Sequence, residues 1–183
     1  PPQAGGTGGA AVRPNLAASL HNLGIHLAAL GRYDEALAAT EEAVAIRRAL
    51  ADERPAAFRP DLARSLNVLG KCFAALDRHA EALDAYEEAV RTLLPACQRL
   101  PAAYAALMAY SVRDYATACE RLGRAPDAAL LAAVLAAVQQ HLEGRAAGDD
   151  RRSLRGAARP NRIGAVIAVL RQRMRAWLRR RNR

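Results

Sequence analysis

The histidines are the first residues to consider for metal binding or catalysis, and their spacing suits neither. His21 and His26 are five residues apart and would point away from each other on a helix, while His79 and His141 are isolated. No pair has the His-x-x-x-His spacing that puts two metal ligands on one helical face. We therefore expect ordinary surface or groove histidines and no metal site.

Carboxylates recur in pairs at a fixed interval, since Glu41-Glu42 returns as Glu87-Glu88 after 46 residues. Pairs repeated on an outward helix face indicate a solvated surface rather than general acid–base catalysis. The sequence also contains no Gly-x-x-x-x-Gly-Lys phosphate loop, no Gly-x-Ser-x-Gly turn and no defensible Ser/His/Asp set. We predict that the protein is not an enzyme and needs no cofactor.

The three cysteines, Cys72, Cys97 and Cys119, are odd in number and match no metal motif. Cys72 and Cys119 fall in predicted helices, where a buried, reduced thiol is the usual state. Reduced thiols suit a cytoplasmic location, and we see neither a signal peptide nor a convincing apolar span of roughly 20 residues. The first residue is not methionine, which leaves open that this is a piece of a larger protein.

The elements that carry these residues come from an internal repeat of 46 residues. Residues 13–24 return as residues 59–70, and residues 31–37 return as residues 77–83. A second step reaches Gly123, in a third and more degenerate unit. A period of this size is typical of a solenoid, and a composition rich in Ala and Leu with few aromatics favours helices.

Apolar residues spaced by three or four predict a pair of helices in each repeat. In the first repeat, Asn15 is a predicted N-cap and Gly31 a predicted turn, and Pro55 and Pro60 predict a longer connection over residues 52–60. The predicted helices cover residues 15–30, 33–51, 61–76, 79–94, 102–122 and 126–141.

The predicted organisation has four parts. A flexible leader (1–12) precedes three repeats (13–58, 59–104 and 105–142), a linker (143–161) and a basic amphipathic helix (162–183). Residues 1–144 hold 14 basic and 16 acidic side chains, whereas residues 145–183 hold 13 basic and 2 acidic ones. The basic character of the chain therefore belongs to its C-terminal part.

The repeats resemble tetratricopeptide repeats, with Leu-Gly on the first helix (helix A) of a pair and spaced alanines around an aromatic position on the second (helix B). The long period and the Ser-Leu-His-Asn-Leu string resemble the branch typified by kinesin light chains and bacterial signalling ATPases. The corresponding positions are Leu20, Leu23, Gly24, Leu27, Ala36, Thr40 and Ala43, then Leu66, Leu69, Gly70, Phe73, Ala82, Tyr86 and Ala89, then Val112, Tyr115, Ala116, Cys119, Ala128, Ala132 and Leu135.

The resemblance implies an all-α, right-handed solenoid of three antiparallel helix pairs plus the C-terminal helix. It also implies a scaffold or sensor that holds a peptide or protein partner on the concave face lined by helix A. The alternative is that these residues form a merely solvated surface. The candidate residues are His21, Asn22, Ile25, Arg64, Asn67, Lys71, Tyr110, Arg113 and Asp114.

The C-terminal helix is the second candidate site, and three interpretations remain open. It could cap the repeats, dock on a partner protein or a second copy, or contact nucleic acid or an anionic membrane. Its candidate residues are Arg171, Arg173, Arg175, Trp177, Arg179 and Arg180.

Overall fold

The computed structural model describes the backbone of residues 8–149 and the side chains of residues 12–139. Within that range the chain is helical and contains no strand, which confirms the predicted all-α helical repeat. The predicted terminal helix over 162–183 lies outside the described residues. The helices are α1 (Gly8–Ala29), α2 (Tyr33–Glu53), α3 (Pro55–Ala75), α4 (His79–Arg99), α5 (Pro101–Arg121) and α6 (Ala128–Asp149).

The prediction of a long connection over residues 52–60 is wrong. The helix α2 continues to Glu53 and α3 begins at Pro55, so a single residue, Arg54, separates them. A proline at the first position of a helix has no N–H to lose, and its ring already holds the helical φ. Pro55 therefore begins α3 instead of marking an irregular connection, and Pro60 lies inside the same helix.

Three other helices also extend beyond their predicted ends. Pro14 lies inside α1, which begins before it, so Asn15 is not an N-cap. Pro95 lies inside α4, which continues to Arg99. The helix α6 runs to Asp149 and so includes the first residues of the predicted linker.

Three turns at equal spacing join the helices of each pair. Gly31, Asp77 and Gly123 have φ angles of 74°, 59° and 64°, in the left-handed region. Each lies 46 residues from the next. Glycine adopts this region without strain and aspartate tolerates it better than most residues, so the turn is encoded at the same position of all three repeats.

The chain divides into two compact units, residues 1–92 and 93–183. In the first unit, α1 packs against α2 and α2 packs against α3. In the second unit, α5 packs against α6. All three cysteines are buried thiols, as predicted for Cys72 and Cys119.

The helices of the first unit approach closely at two glycines. A Cβ on Gly24 would collide with the Thr40 hydroxyl and lie 3.3 Å from the Ala36 carbonyl oxygen. A Cβ on Gly70 would lie 2.6 Å from the Tyr86 ring. Gly24 and Gly70 therefore allow the two helices of each pair to approach closely.

The helices α1 and α3 have matching apolar stripes that differ in burial. Leu62 and Leu69 on α3 are 5% and 9% exposed, since α2 packs against this helix. Their equivalents on α1, Leu16 and Leu23, are 45% and 48% exposed. Among the described residues, no helix precedes α1 to cover this stripe.

Candidate partner-binding site

The predicted partner-binding residues on α1 and α3 differ in their access to water. His21 is half-buried, whereas Asn22 and Arg64 are exposed. Asn67 is only 2% exposed, so it does not lie on the open helix face on which the sequence places it. The two remaining candidates of this unit, Ile25 and Lys71, are exposed.

The residue that organises this site is Arg47 on α2, which sequence reasoning did not select. Its Nη1 donates to the Ser65 Oγ at 2.6 Å and to the Asp61 backbone oxygen at 2.9 Å. The Ser65 Oγ in turn lies 3.2 Å from Nδ1 of His21. The helices α1, α2 and α3 thus meet in one polar group, here called the Arg47 cluster: His21, Arg47, Asp61, Arg64 and Ser65.

Among the described residues, the buried Arg47 guanidinium has no direct ion pair with a carboxylate, although Asp61 is close enough to favour its charge. Arg47 is 7% exposed, and the two oxygen atoms that accept its hydrogen bonds are both uncharged. The Asp61 carboxylate instead accepts from Arg64 at 2.6 Å. Burial lowers the pKa of Arg47, but a guanidinium keeps its proton in proteins.

The same surroundings keep His21 neutral. Its pKa is lowered from 6.5 to about 4, mainly by burial and also by the charges of Arg47 and Arg64, while the charge of Asp61 opposes the shift. At neutral pH the imidazole therefore carries one proton, on one of its two nitrogens.

The candidates in the second unit form a separate surface group on α5. The Arg113 guanidinium lies 4.8 Å from the centre of the Tyr110 ring and its Nη2 lies 2.8 Å from Oδ1 of Asp114. Arg113 is exposed and Asp114 is mostly buried. The candidates of the C-terminal segment lie outside the described residues.

The helix-B acidic pairs face water to different degrees. Glu41 and Glu42 are exposed, whereas Glu87 and Glu88 are half-buried. Glu87 accepts a hydrogen bond from Arg91 at 2.7 Å, and Glu88 accepts one from Arg48 at 2.7 Å. These ion pairs are partly exposed, so each contributes at most about 1 kcal/mol to stability.

The other chemistry-bearing groups provide no reaction centre in the part of the chain that the structure describes. No three His, Cys, Asp or Glu residues there are grouped closely enough to hold a metal ion. Burial raises the pKa of the Cys72 and Cys97 thiols, which makes them weak nucleophiles. None of the described helices is long and apolar enough to cross a membrane.

A weak sequence signal pointed to the Arg47 cluster. Arg47 follows Ala43 and Val44 on the otherwise apolar face of helix B, and Ser65 repeats Ser19 at the period of 46. An arginine on a core face must meet acceptors from a neighbouring element. The identity of those acceptors depends on which helix packs there.

The repeated helix pairs match a known family. The family model of the tetratricopeptide repeat covers residues 16–94. Over these residues the chain is similar to tetratricopeptide repeats. The comparison with curated proteins gave no match. Tetratricopeptide repeats generally mediate interactions between proteins, and they are typically scaffolds rather than enzymes.

Proposed function

We propose that this protein is a protein–protein interaction module, a scaffold or sensor that binds a peptide or protein partner on the helix-A face of its repeats. The Arg47 cluster is the observation that carries the proposal. The cluster contains the half-buried His21 on α1, the exposed Arg64 on α3 and the buried Arg47 on α2. Such polar groups on a rigid scaffold suit recognition better than turnover.

The setting that fits this module is a cytoplasmic bacterial signalling protein of the long-repeat branch. The period of 46 and the residue strings of the first two repeats support it. The buried thiols agree with a reducing compartment. We propose no catalytic role.

The proposal can be tested with a peptide selected from a random display library on the full-length chain. We expect Asn22→Ala combined with Arg64→Ala to weaken binding of that peptide roughly thirtyfold, because exposed hydrogen-bonding groups contribute on the order of 1 kcal/mol each. The unfolding temperature should stay close to that of the wild type, since both residues are exposed.

The matched control is Glu42→Ala, which changes an exposed residue on helix B. Fluorescence anisotropy with the same labelled peptide should show wild-type affinity for this variant. Equal affinity of the double variant and the wild type would contradict binding on the helix-A face.

A second candidate function is that of an adaptor for nucleic acid or an anionic membrane surface. The charge distribution supports it, because residues 145–183 hold 13 basic and 2 acidic side chains. Arginine-rich segments bind phosphate-bearing surfaces through charge alone. The same segment is also the part of the chain proposed to dock on a partner protein or on a second copy.

A further inference from the structure

We propose that two copies of this chain associate through the leucine stripe of α1, defined as Leu16, Leu23 and Leu30, with α1 packed against α1 across a two-fold axis. The inference does not depend on partner binding at the helix-A face. It assigns an occupant to a surface that the proposed function leaves uncovered.

The leucine stripe has the composition of a buried helix face. Leu16, Leu23 and Leu30 are 45%, 48% and 71% exposed, and they recur every seven residues on nearly the same side of α1. At the equivalent positions of α3, Leu62 and Leu69 are 5% and 9% exposed. The same residue types at the same repeat positions are therefore interior in one helix and open to water in the other. Large apolar side chains grouped in this way indicate an association surface.

The spacing of the stripe fits a second helix. Leu20 and Leu27 lie between the exposed leucines, so the five leucines follow one another at alternating steps of four and three residues. Leu20 is half-buried and Leu27 is 8% exposed, so these two form the base of the stripe. Alternating steps of four and three are the seam spacing of paired α-helices. A helix with the same spacing is therefore the best fit to this surface.

The charge of α1 favours a second copy over a charged partner. Residues 14–31 contain no Asp, Glu, Lys or Arg, whereas the equivalent residues 60–77 contain two acidic and two basic side chains. A charged partner helix would find no ion pair along α1, and its charges would lose contact with water without compensation. A second α1 instead brings leucines at matching intervals and no like charges.

A two-fold axis at Leu23 aligns the whole stripe with its copy. In an antiparallel pair, Leu23 meets Leu23 of the second copy and Leu16 meets Leu30, and the two helix dipoles oppose each other favourably. One helix from each copy gives a small interface, so we expect a dissociation constant on the order of 10–100 µM. At lower concentrations the chain is a monomer whose stripe is exposed.

Sedimentation equilibrium of the full-length chain tests the dimer, over concentrations from about 1 to about 300 µM that bracket the expected dissociation constant. We expect the wild type to pass from monomer to dimer over this range. Leu23→Lys and Leu23→Glu should each raise the dissociation constant at least about tenfold, because two leucines leave the axis and two like charges meet there.

An equimolar mixture of the two Leu23 variants tests the two-fold pairing directly. Opposite charges then meet at the axis, so association should return in the mixture although each variant alone is a monomer. The matched control is Ala29→Lys, which adds the same charge at an exposed position about 100° around α1 from Leu30. We expect this control to associate like the wild type, and circular dichroism to show unchanged helix content in every variant.

A wild-type chain that stays monomeric at the highest concentration would overturn the proposal. Association that Leu23→Lys leaves unchanged would do the same, because it would proceed through another surface. If both Leu23 variants are monomeric and their mixture is monomeric too, two copies do not meet at residue 23 and the two-fold pairing is rejected.

Discussion

Arg47 illustrates how one buried charge constrains its neighbours. Because a guanidinium cannot release its proton, its burial must be offset by acceptor oxygens, and Ser65 and Asp61 supply them. The same cation disfavours a second positive charge on His21 nearby. Burial and charge therefore act in the same direction on the imidazole, and both favour its neutral form.

A pH titration tests this state of His21. Its pKa is lowered from 6.5 to about 4 on folding, so the unfolded chain binds the proton more tightly. The stability that this provides is complete above pH 6.5 and is lost as the pH falls towards 4. We expect the loss to be on the order of 1–3 kcal/mol, reduced by the partial exposure of the ring.

Urea unfolding of the wild type and of His21→Gln at about pH 7 and about pH 4.5 measures the effect. The carboxylates titrate in both proteins, so the difference between them isolates the histidine. An equal loss of stability in the two proteins would show that His21 titrates normally.

At the scale of the helix pair, the distance between the two helices depends on a glycine in one helix and the side chain that faces it in the other. Gly24 faces Thr40 on α2, and Gly70 faces Tyr86 on α4, at equivalent positions of the two repeats. The aromatic usual in the family occurs only in the second of these repeats. In both, the missing Cβ leaves the space that the facing side chain fills.

Gly70→Ala should therefore destabilise the protein by about 1–2 kcal/mol, although alanine is the better helix former. The added Cβ would lie 2.6 Å from the Tyr86 ring. In a Tyr86→Leu background the ring is gone, and we expect the same substitution to be neutral or stabilising. Chemical unfolding of the four proteins of this cycle gives the coupling, and additive effects would contradict the close contact.

Equivalent positions of the two repeats also allow a test of burial. Leu62→Ala should cost about 2–4 kcal/mol, because Leu62 is 5% exposed and its loss leaves a cavity. Leu16→Ala, 46 residues earlier and 45% exposed, should cost less than about 1 kcal/mol. Urea unfolding compares them, and similar costs would mean that the α1 stripe is covered in solution.

At the scale of the whole molecule, charge is separated along the chain. Residues 1–144 hold 14 basic and 16 acidic side chains, whereas residues 145–183 hold 13 and 2. Long-range attraction to an anionic partner therefore depends on the C-terminal segment. We therefore expect that removing the C-terminal segment abolishes this attraction and leaves the repeats folded.

A chain that ends at Asp149, the last residue of α6, tests this separation. We expect circular dichroism to show a folded helical protein, and sedimentation to show that binding to anionic vesicles or duplex DNA at low salt is lost. Unfolding of the shortened chain would identify the segment as a structural cap instead. Binding that survives the deletion would contradict the adaptor function.

Local patterns predicted much of this fold because their causes are local. The spacing of apolar residues predicted the three helix pairs, and Gly31 predicted the first turn, which its φ angle confirms. Asp77 and Gly123 adopt the same left-handed conformation at the equivalent repeat positions. Helix ends near prolines were predicted less well. Pro55 begins a helix, whereas Pro14, Pro60 and Pro95 lie inside helices, so a proline in this sequence does not by itself mark a helix end.

The sequence by itself determined the repeat and the helices, since these depend on periodicity and on small residues at fixed positions. Only the tertiary structure decided what surrounds each residue. His21 and Ser65 meet across 44 residues of chain, and Arg47 and Ser65 across 18. Leu16 and Leu62 occupy the same repeat position, yet one is exposed and the other buried. Burial depends on the neighbouring helix, which periodicity does not specify.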